Sequence, residues 1–435
     1  MQHFRTQTMR VLLTVVAAAL LLDHCRAEDV FENAPVTYSS ATPKNTITDL
    51  QTKLSSGELN WTYVEGLGYL PAILQALNIS PKSQTLVFSK TSMQRQRISP
   101  RTPRAIYFSD DVYVGFCQAG TVLEISAVDP QLGAVFYTLE QEKADVPRLT
   151  RQTESCLTCH ASSRTENIPG HVVRSLFADR SGEPIFSAGS YSVDHRTPLE
   201  QRWGGWYVTG THGTQRHLGN LIVDSRPSRE PVENDEGQNL TELGDRFSPG
   251  AYLSPHSDIV ALMVLEHQTL VQNRITRANF ETRAALYYQA EMNRALGDPA
   301  DKPLESVARR IHGTGDKLIE ALLLVDEAEL KSEIVGTSGF AEEFPRPGPR
   351  DSHGRSLRDL DLKQRLFKYP CSYLIYSEAF DALPNEVRSY VWQRLRKIFT
   401  GQDDSKQFEH LSAADRQAIL EILRETKTDL PADWK

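Results

Sequence analysis

The hydrophobic pattern of this chain changes once, near residue 250, and the change limits the folds open to it. Residues 84–141 contain short runs rich in β-branched and aromatic residues, such as QTLVFS, VLEISAV and GAVFYTL, separated by turn-forming residues. Such runs are typical of β-strands, and similar ones resume over residues 171–224. From residue 254 the apolar residues recur at helical spacing instead. The sequence therefore predicts an α+β fold, with a β-rich first half and a helical second half.

The helical half is predicted to begin with one long helix. Ser254, followed by a proline, is a favourable N-cap, and the pattern continues to about Leu296, where Gly297 follows. Near the C-terminus, Ser412 and Asp415 have the spacing of a capping box, with Asp in place of the usual Glu or Gln. Shorter helices are predicted at 303–312, 315–334, 372–382, 384–400 and 411–426.

The first 27 residues are predicted to be a secretory signal peptide. A basic start, MQHFRTQTMR, precedes the run VLLTVVAAALLL, whose 12 residues are too few to span a bilayer. With cleavage expected after Ala27, the remaining chain is predicted to comprise a β-rich domain at 28–225, a polar linker or long loop at 226–250 and a helical domain at 251–435. We expect a periplasmic or secreted protein without a membrane span.

The overall charge excludes one class of partner. The formal net charge is −8 and the sequence has no long basic run, so nucleic acid is not expected to bind.

The stretch ESCLTCHASS carries the clearest chemical signal. On a helical turn, residues three and four apart share a face, so Cys156, Cys159 and His160 would point the same way. A zinc site would need further ligands, and the sequence has no second close pair of cysteines. A thioredoxin-like disulfide often has proline between its cysteines, where this chain has Leu and Thr. The pattern C-x-x-C-H is that of covalent haem attachment, which suits an exported chain.

This motif resembles that of the c-type cytochromes. The resemblance implies one covalent haem c and its iron, with Cys156 and Cys159 as attachment sites and His160 as an iron ligand. Longer phrases, including SKTSMQRQRISPRTPRAIYFSDDVYVGF and RWGGWYVTGTHG, resemble an uncharacterised family of secreted bacterial proteins with one such motif. That second resemblance implies the haem and an envelope location, and it adds no particular activity.

The sixth iron ligand is harder to assign. Conventional small cytochromes c use a methionine, but the only methionines after the motif are Met263 and Met292, both in the predicted long helix. We therefore do not expect a conventional small all-α cytochrome c fold, and we favour a histidine or an open position for the sixth ligand. His267 lies within the apolar face of the long helix, so either iron or a hydrogen bond could satisfy its ring. The further candidates are His212 and His217, beside a glycine-rich turn.

Two isolated cysteines leave an alternative open. Cys117 ends a predicted strand and Cys371 follows a proline in YPCSYLIY. A long-range disulfide and two buried free thiols are both compatible with the sequence.

Two kinds of function follow from a covalent haem. The first is electron transfer, with a redox partner protein or a small-molecule electron donor or acceptor. The second is a haem enzyme, peroxidase-like or another oxidoreductase, with an open distal position; the length of the chain exceeds what one electron-transfer haem needs. No spacing singles out the residues that could assist such a reaction, which are His195, Arg196, His212 and Arg216.

Overall fold

The computed structural model describes residues 30–225, 232–403 and 405–434. The predicted signal peptide lies outside these residues. The first half of the chain forms an antiparallel sheet of seven strands and the second half is helical, which confirms the α+β prediction. No helix in the described ranges is long and apolar enough to cross a membrane.

The sheet is built mainly from the runs that the sequence singles out. The four runs between residues 84 and 141 form strands, as predicted, whereas the strand at Leu149–Gln152 was not predicted and the run at 218–224 forms no strand. The strands are β1 (Thr85–Val87), β2 (Arg104–Phe108), β3 (Val112–Phe116), β4 (Val122–Asp129), β5 (Gly133–Glu140), β6 (Leu149–Gln152), β7 (Arg174–Leu176), β8 (Ser190–Ser192) and β9 (Trp206–Tyr207). Their order in the main sheet is β6-β5-β4-β3-β2-β1-β9, and β7 pairs with β8 apart from it.

The helices depart from the prediction at several boundaries. The two helices predicted at 303–312 and 315–334 are one helix that ends at residue 322, and the region 372–382 is a 3₁₀ turn followed by one short helix. The helices are α1 (Thr46–Ser55), α2 (Leu70–Ala76), α3 (Leu157–His160), α4 (Ile259–Leu296), α5 (Glu305–Leu322), α6 (Phe340–Glu343), α7 (Glu378–Asp381), α8 (Asn385–Phe399) and α9 (Ala413–Thr426). The capping box predicted for Ser412 and Asp415 is present at the start of α9.

The long helix α4 begins later than predicted, because Asp258 and not Ser254 is its N-cap. The Asp258 side chain accepts hydrogen bonds from the backbone amides of Val260 and Ala261. Its second carboxylate oxygen accepts from the amide of Thr337 at 2.7 Å. A carboxylate satisfies these free amides and is favoured by the positive end of the helix. Every residue from Ile259 to Thr269 is buried, so this part of α4 has no solvent-facing side.

The two faces of the main sheet have different coverings. Alternate residues along a strand point to opposite faces. One face, with Tyr107 and Val114 among its side chains, packs on apolar residues of α1 and α2. The other face carries Tyr113, Ser126 and Phe136, and it meets α4 through a hydrogen bond of 2.6 Å from the Tyr113 hydroxyl to Gln272 Oε1. We call this second side the motif face, because the CLTCH segment lies against it.

Candidate functional site

The CLTCH segment forms a single helical turn. The amide of His160 donates to the carbonyl of Cys156 at 3.0 Å, which closes the turn. Leu157 is buried and anchors the turn to the apolar cluster beneath it, whereas Cys159 is exposed and Cys156 and His160 are partly buried. The predicted helical arrangement of the motif is therefore present, with both thiols accessible.

The ring of His160 is held by one specific hydrogen bond. Its Nδ1 lies 2.9 Å from the carbonyl oxygen of Gly170, and because a carbonyl can only accept, Nδ1 carries the proton. Nε2 of the neutral ring is then left with its lone pair. Burial lowers the pKa of His160, which favours this neutral form. The ring centroid is 4.7 Å from that of Phe136 on the motif face. Metal-binding histidines are characteristically oriented by such a bond from the other ring nitrogen.

The carbonyl of Gly170 is fixed in turn by α4. The Oδ1 of Asn273 accepts from the amide of His171 at 2.9 Å, and its Nδ2 donates to the carbonyl of His171 at 2.7 Å. A Cβ on Gly170 would clash with Asn273 Oδ1, so a larger residue there would have to displace the Asn273 side chain from its bonds to His171. The segment behind His160 is thus held by a residue 113 positions further along the chain than the motif histidine.

His171 is part of the same support. Its Nε2 hydrogen-bonds Ser126 Oγ at 2.7 Å, and its ring lies 4.3 Å from the ring of Tyr113. Burial lowers its pKa to about 3, so the ring is neutral at physiological pH.

All four cysteines that the structure describes are free thiols. Burial raises the pKa of Cys156 to about 11. Cys117 and Cys371 are both buried, and burial raises the pKa of each to about 12. Of the two alternatives for this second pair, the structure has the free thiols. In the described part of the chain, no group of three or more His, Cys, Asp or Glu side chains is arranged to hold a metal ion by itself.

Three large apolar side chains are exposed on loops that hydrogen bonds link to one another or to the segment after the motif. Met93 is 54% exposed, Phe186 62% and Tyr191 38%. The loop of Phe186 is joined to that of Met93 by a hydrogen bond of 2.8 Å from the amide of Lys90 to the carbonyl of Gly182.

The loop of Tyr191 is joined to the motif itself. Arg164, four residues after His160, donates to Ser192 Oγ at 3.2 Å. The guanidinium of Arg174 lies 5.6 Å from the ring centroid of Phe186 and donates to Ser190 Oγ at 3.1 Å. We call the three side chains Met93, Phe186 and Tyr191 the apolar rim.

The structure does not bring His267 to the motif. Its side chain is fully buried, with Nδ1 3.0 Å from Nδ1 of His195 and Nε2 2.8 Å from Ser372 Oγ. Both ring nitrogens therefore have partners in the protein interior, the arrangement that the sequence offered as the alternative to iron. His267 as an iron ligand stays a prediction that these contacts do not favour.

His212 and His217 form a separate pair. Their ring centroids are 4.7 Å apart. His212 Nε2 accepts from the amide of Asn239 at 3.1 Å, and His217 Nδ1 accepts from the amide of Gly219 at 3.0 Å. These bonds stabilise the glycine-rich turn, which is a structural role.

The residues considered for a distal pocket are also engaged elsewhere. Arg196 pairs with Asp194 at 2.6 Å, and Arg216 pairs with Asp235 at 2.5 Å. His195, as described above, is a core partner of His267. The structure therefore does not gather these side chains with His212 around Cys156 and Cys159.

The residues that complete the site were not found by sequence reasoning. Gly170 and Asn273 act through contacts between distant parts of the chain, and no local pattern marks them. Met93 precedes the motif, whereas the methionines weighed as iron ligands, Met263 and Met292, both follow it. Comparison of the chain with protein-family models, curated proteins and solved structures found no match.

Proposed function

We propose that this protein is a secreted c-type haem protein that transfers electrons through one haem bound covalently to Cys156 and Cys159. The observation that carries the proposal is the hydrogen bond from His160 Nδ1 to the Gly170 carbonyl, at 2.9 Å. It leaves Nε2 as a ready metal ligand on the same turn as two free thiols. Neither a redox disulfide nor a purely structural histidine would need an oriented ring with a free Nε2 on the same turn as two thiols.

The donor set fits the group. Each thiol would add across one vinyl group: an S–C bond forms, and the thiol hydrogen goes to the neighbouring vinyl carbon, so no oxidant is needed. Both thiols must be reduced for this, and both are free. His160 would coordinate the iron through Nε2, and Phe136 would restrict the tilt of its ring. The apolar rim would pack on the porphyrin and exclude water from part of it.

A covalently held haem supplies one-electron chemistry that does not require the cofactor to dissociate. The surroundings of the motif support electron transfer as its use. The buried ring of Phe136 lies against His160, and burial and hydrogen bonding of this kind tune a reduction potential. The exposed position of Cys159 would leave one edge of the haem close to solvent and so to a redox partner protein or a small electron carrier.

Expression of the full chain with a periplasmic haem-maturation system tests the proposal. We expect one haem per chain that resists acid-acetone extraction and adds the mass of one haem to the protein. The double variant Cys156→Ser/Cys159→Ser should lose it, while Cys371→Ala, a buried thiol elsewhere, should keep it. A folded wild-type chain without covalent haem, judged by circular dichroism and mass spectrometry, would contradict the proposal.

The same preparation separates electron transfer from a haem enzyme. A low-spin spectrum that carbon monoxide does not change is expected for electron transfer, because both axial positions are then occupied. A high-spin iron that binds carbon monoxide readily would instead indicate an open site and favour the enzyme.

A further inference from the structure

We propose that Met93 supplies the sixth iron ligand, an inference that rests on the haem attachment proposed above. Three methionines lie in the described part of the chain. Met263 is buried in the core and Met292 is partly buried near the far end of α4, whereas Met93 is 54% exposed on a turn whose neighbouring side chains bind Glu124.

The position of Met93 follows from its two neighbours. Ser92 Oγ donates to Oε1 of Glu124 at 2.8 Å, and Gln94 Nε2 donates to the same oxygen at 3.1 Å. Gln94 Oε1 also accepts from the amide of Thr121 at 3.0 Å. The chain on both sides of Met93 is therefore fixed to β4 and to Thr121, the residue before β4, while the thioether side chain stays free.

Glu124 in turn lies on the motif face. It is two residues before Ser126, so the two side chains share that face about 7 Å apart. Ser126 pairs in register with Phe136, the residue whose ring contacts that of His160. A salt bridge of 2.7 Å from Arg104 holds Glu124 in place.

The contacts of the other candidates also favour Met93. The Gly170 carbonyl occupies Nδ1 of His160, so Nε2 is the nitrogen that would bind the iron. The histidines that the sequence suggested have partners elsewhere. A methionine side chain is unbranched and flexible, so it could reach the iron from a fixed turn. Single exposed apolar side chains are common, and Met93 is distinguished by neighbours that are anchored to Glu124 on the motif face.

The inference gives the protein a specific redox character. Methionine opposite histidine raises the reduction potential of haem relative to two histidines. The protein would then accept electrons from moderately reducing partners and hold the reduced state stably.

Spectroscopy of the holoprotein tests the ligand separately from the attachment. Met93→Ala should keep the covalent haem. Its ferric iron should change from low spin to high spin, and its ferrous iron should bind carbon monoxide. The strongly upfield-shifted methyl resonance of a coordinated methionine should be lost. Met93→His should restore a low-spin spectrum with a lower midpoint potential. Met292→Ala, the matched control, should resemble the wild type in all four measurements.

Three other results would contradict Met93 as the ligand, and they show separately whether the haem attachment also fails. If Met93→Ala keeps the wild-type spectrum and potential, Met93 is not the ligand, and the haem attachment stands. A wild-type iron that is high spin and open to carbon monoxide overturns the ligand and leaves the attachment intact. Absence of covalent haem from a folded wild-type chain overturns both proposals.

Discussion

Asn273 binds both backbone groups of His171, accepting from its amide at 2.9 Å and donating to its carbonyl at 2.7 Å. One amide side chain therefore reproduces the pairing of a neighbouring strand. Through this pairing α4 fixes the position of Gly170, whose carbonyl orients the His160 ring. The histidine of the motif is thus positioned from a distant element and not from its own turn.

Asn273→Ala should lower the free energy of unfolding by about 2 kcal/mol, because two hydrogen bonds to backbone groups are lost at roughly 1 kcal/mol each. Urea denaturation of the full chain followed by circular dichroism measures the change. Tyr288→Ala, at an exposed position on the same helix, is the control and should change stability by less than about 0.5 kcal/mol. Equal effects of the two substitutions would show that the pairing contributes little.

Gly170→Ala should also destabilise the protein, by about 1–3 kcal/mol, because the added methyl group collides with Asn273 Oδ1. If the collision is the cause, the double variant Gly170→Ala/Asn273→Ala should be less destabilised than the sum of the single variants, with a coupling of at least ~0.5 kcal/mol. Additive losses in the same denaturation assay would place the origin of the effect elsewhere.

A buried ion pair next to the His195–His267 contact should be sensitive to removal of one partner. Arg202 pairs with Glu266 at 2.9 Å, and both side chains are almost fully buried. Arg202→Met should therefore cost about 3–5 kcal/mol, since it leaves a carboxylate unpaired in the interior. Arg309→Met removes the exposed pair with Glu305 and should cost at most about 1 kcal/mol. Thermal or urea unfolding of both variants decides whether the difference exists.

Buried histidines should make the protein sensitive to acid. Burial lowers the pKa of His217 to about 3 from an ordinary value of 6.5. Its contribution to stability is present above pH 6.5, where folded and unfolded rings are both neutral. It is lost as the pH falls from 6.5 towards 3, because only the unfolded state then takes up the proton, at up to ~1.4 kcal/mol per pH unit.

His217→Asn keeps an acceptor for the Gly219 amide but cannot bind this proton. Between pH 6.5 and 4 its free energy of unfolding should therefore fall less steeply than that of the wild type. His353→Asn, at an exposed position, serves as the control and should follow the wild-type curve. Parallel curves for His217→Asn and the wild type would remove His217 as a source of acid sensitivity.

Local patterns were sufficient for much of the fold. The strands between residues 84 and 141, the long helix and the capping box of α9 all follow from periodicity and end signals within a few residues. The start of α4 was predicted wrongly because two good capping residues lie four positions apart. Asp258 prevails over Ser254 because its carboxylate also binds the segment at Thr337, a contact that no local pattern reveals.

The same distinction between local sequence signals and long-range contacts applies to the site. Cys156, Cys159 and His160 are recognisable because their spacing alone brings them to one face of a turn. The groups around them are not, since Gly170 acts through its contacts with His160 and Asn273, and the anchoring of the turn at Met93 depends on neighbours bound to Glu124. His267 drew attention because a polar ring within an apolar face must have a partner, and the sequence could not show that His195 and Ser372 provide it.

The length and stiffness of α4 have one more consequence. Glu266 and Asn273 are seven residues apart, about two turns and roughly 10 Å along the same side of the helix. The helix therefore fixes the distance between two contacts, the interior ion pair at Glu266 and the hydrogen bonds from Asn273 to the segment that orients His160. A shift of the helix by one residue would disrupt both contacts together, so the orientation of the motif histidine depends on the packing of the protein core.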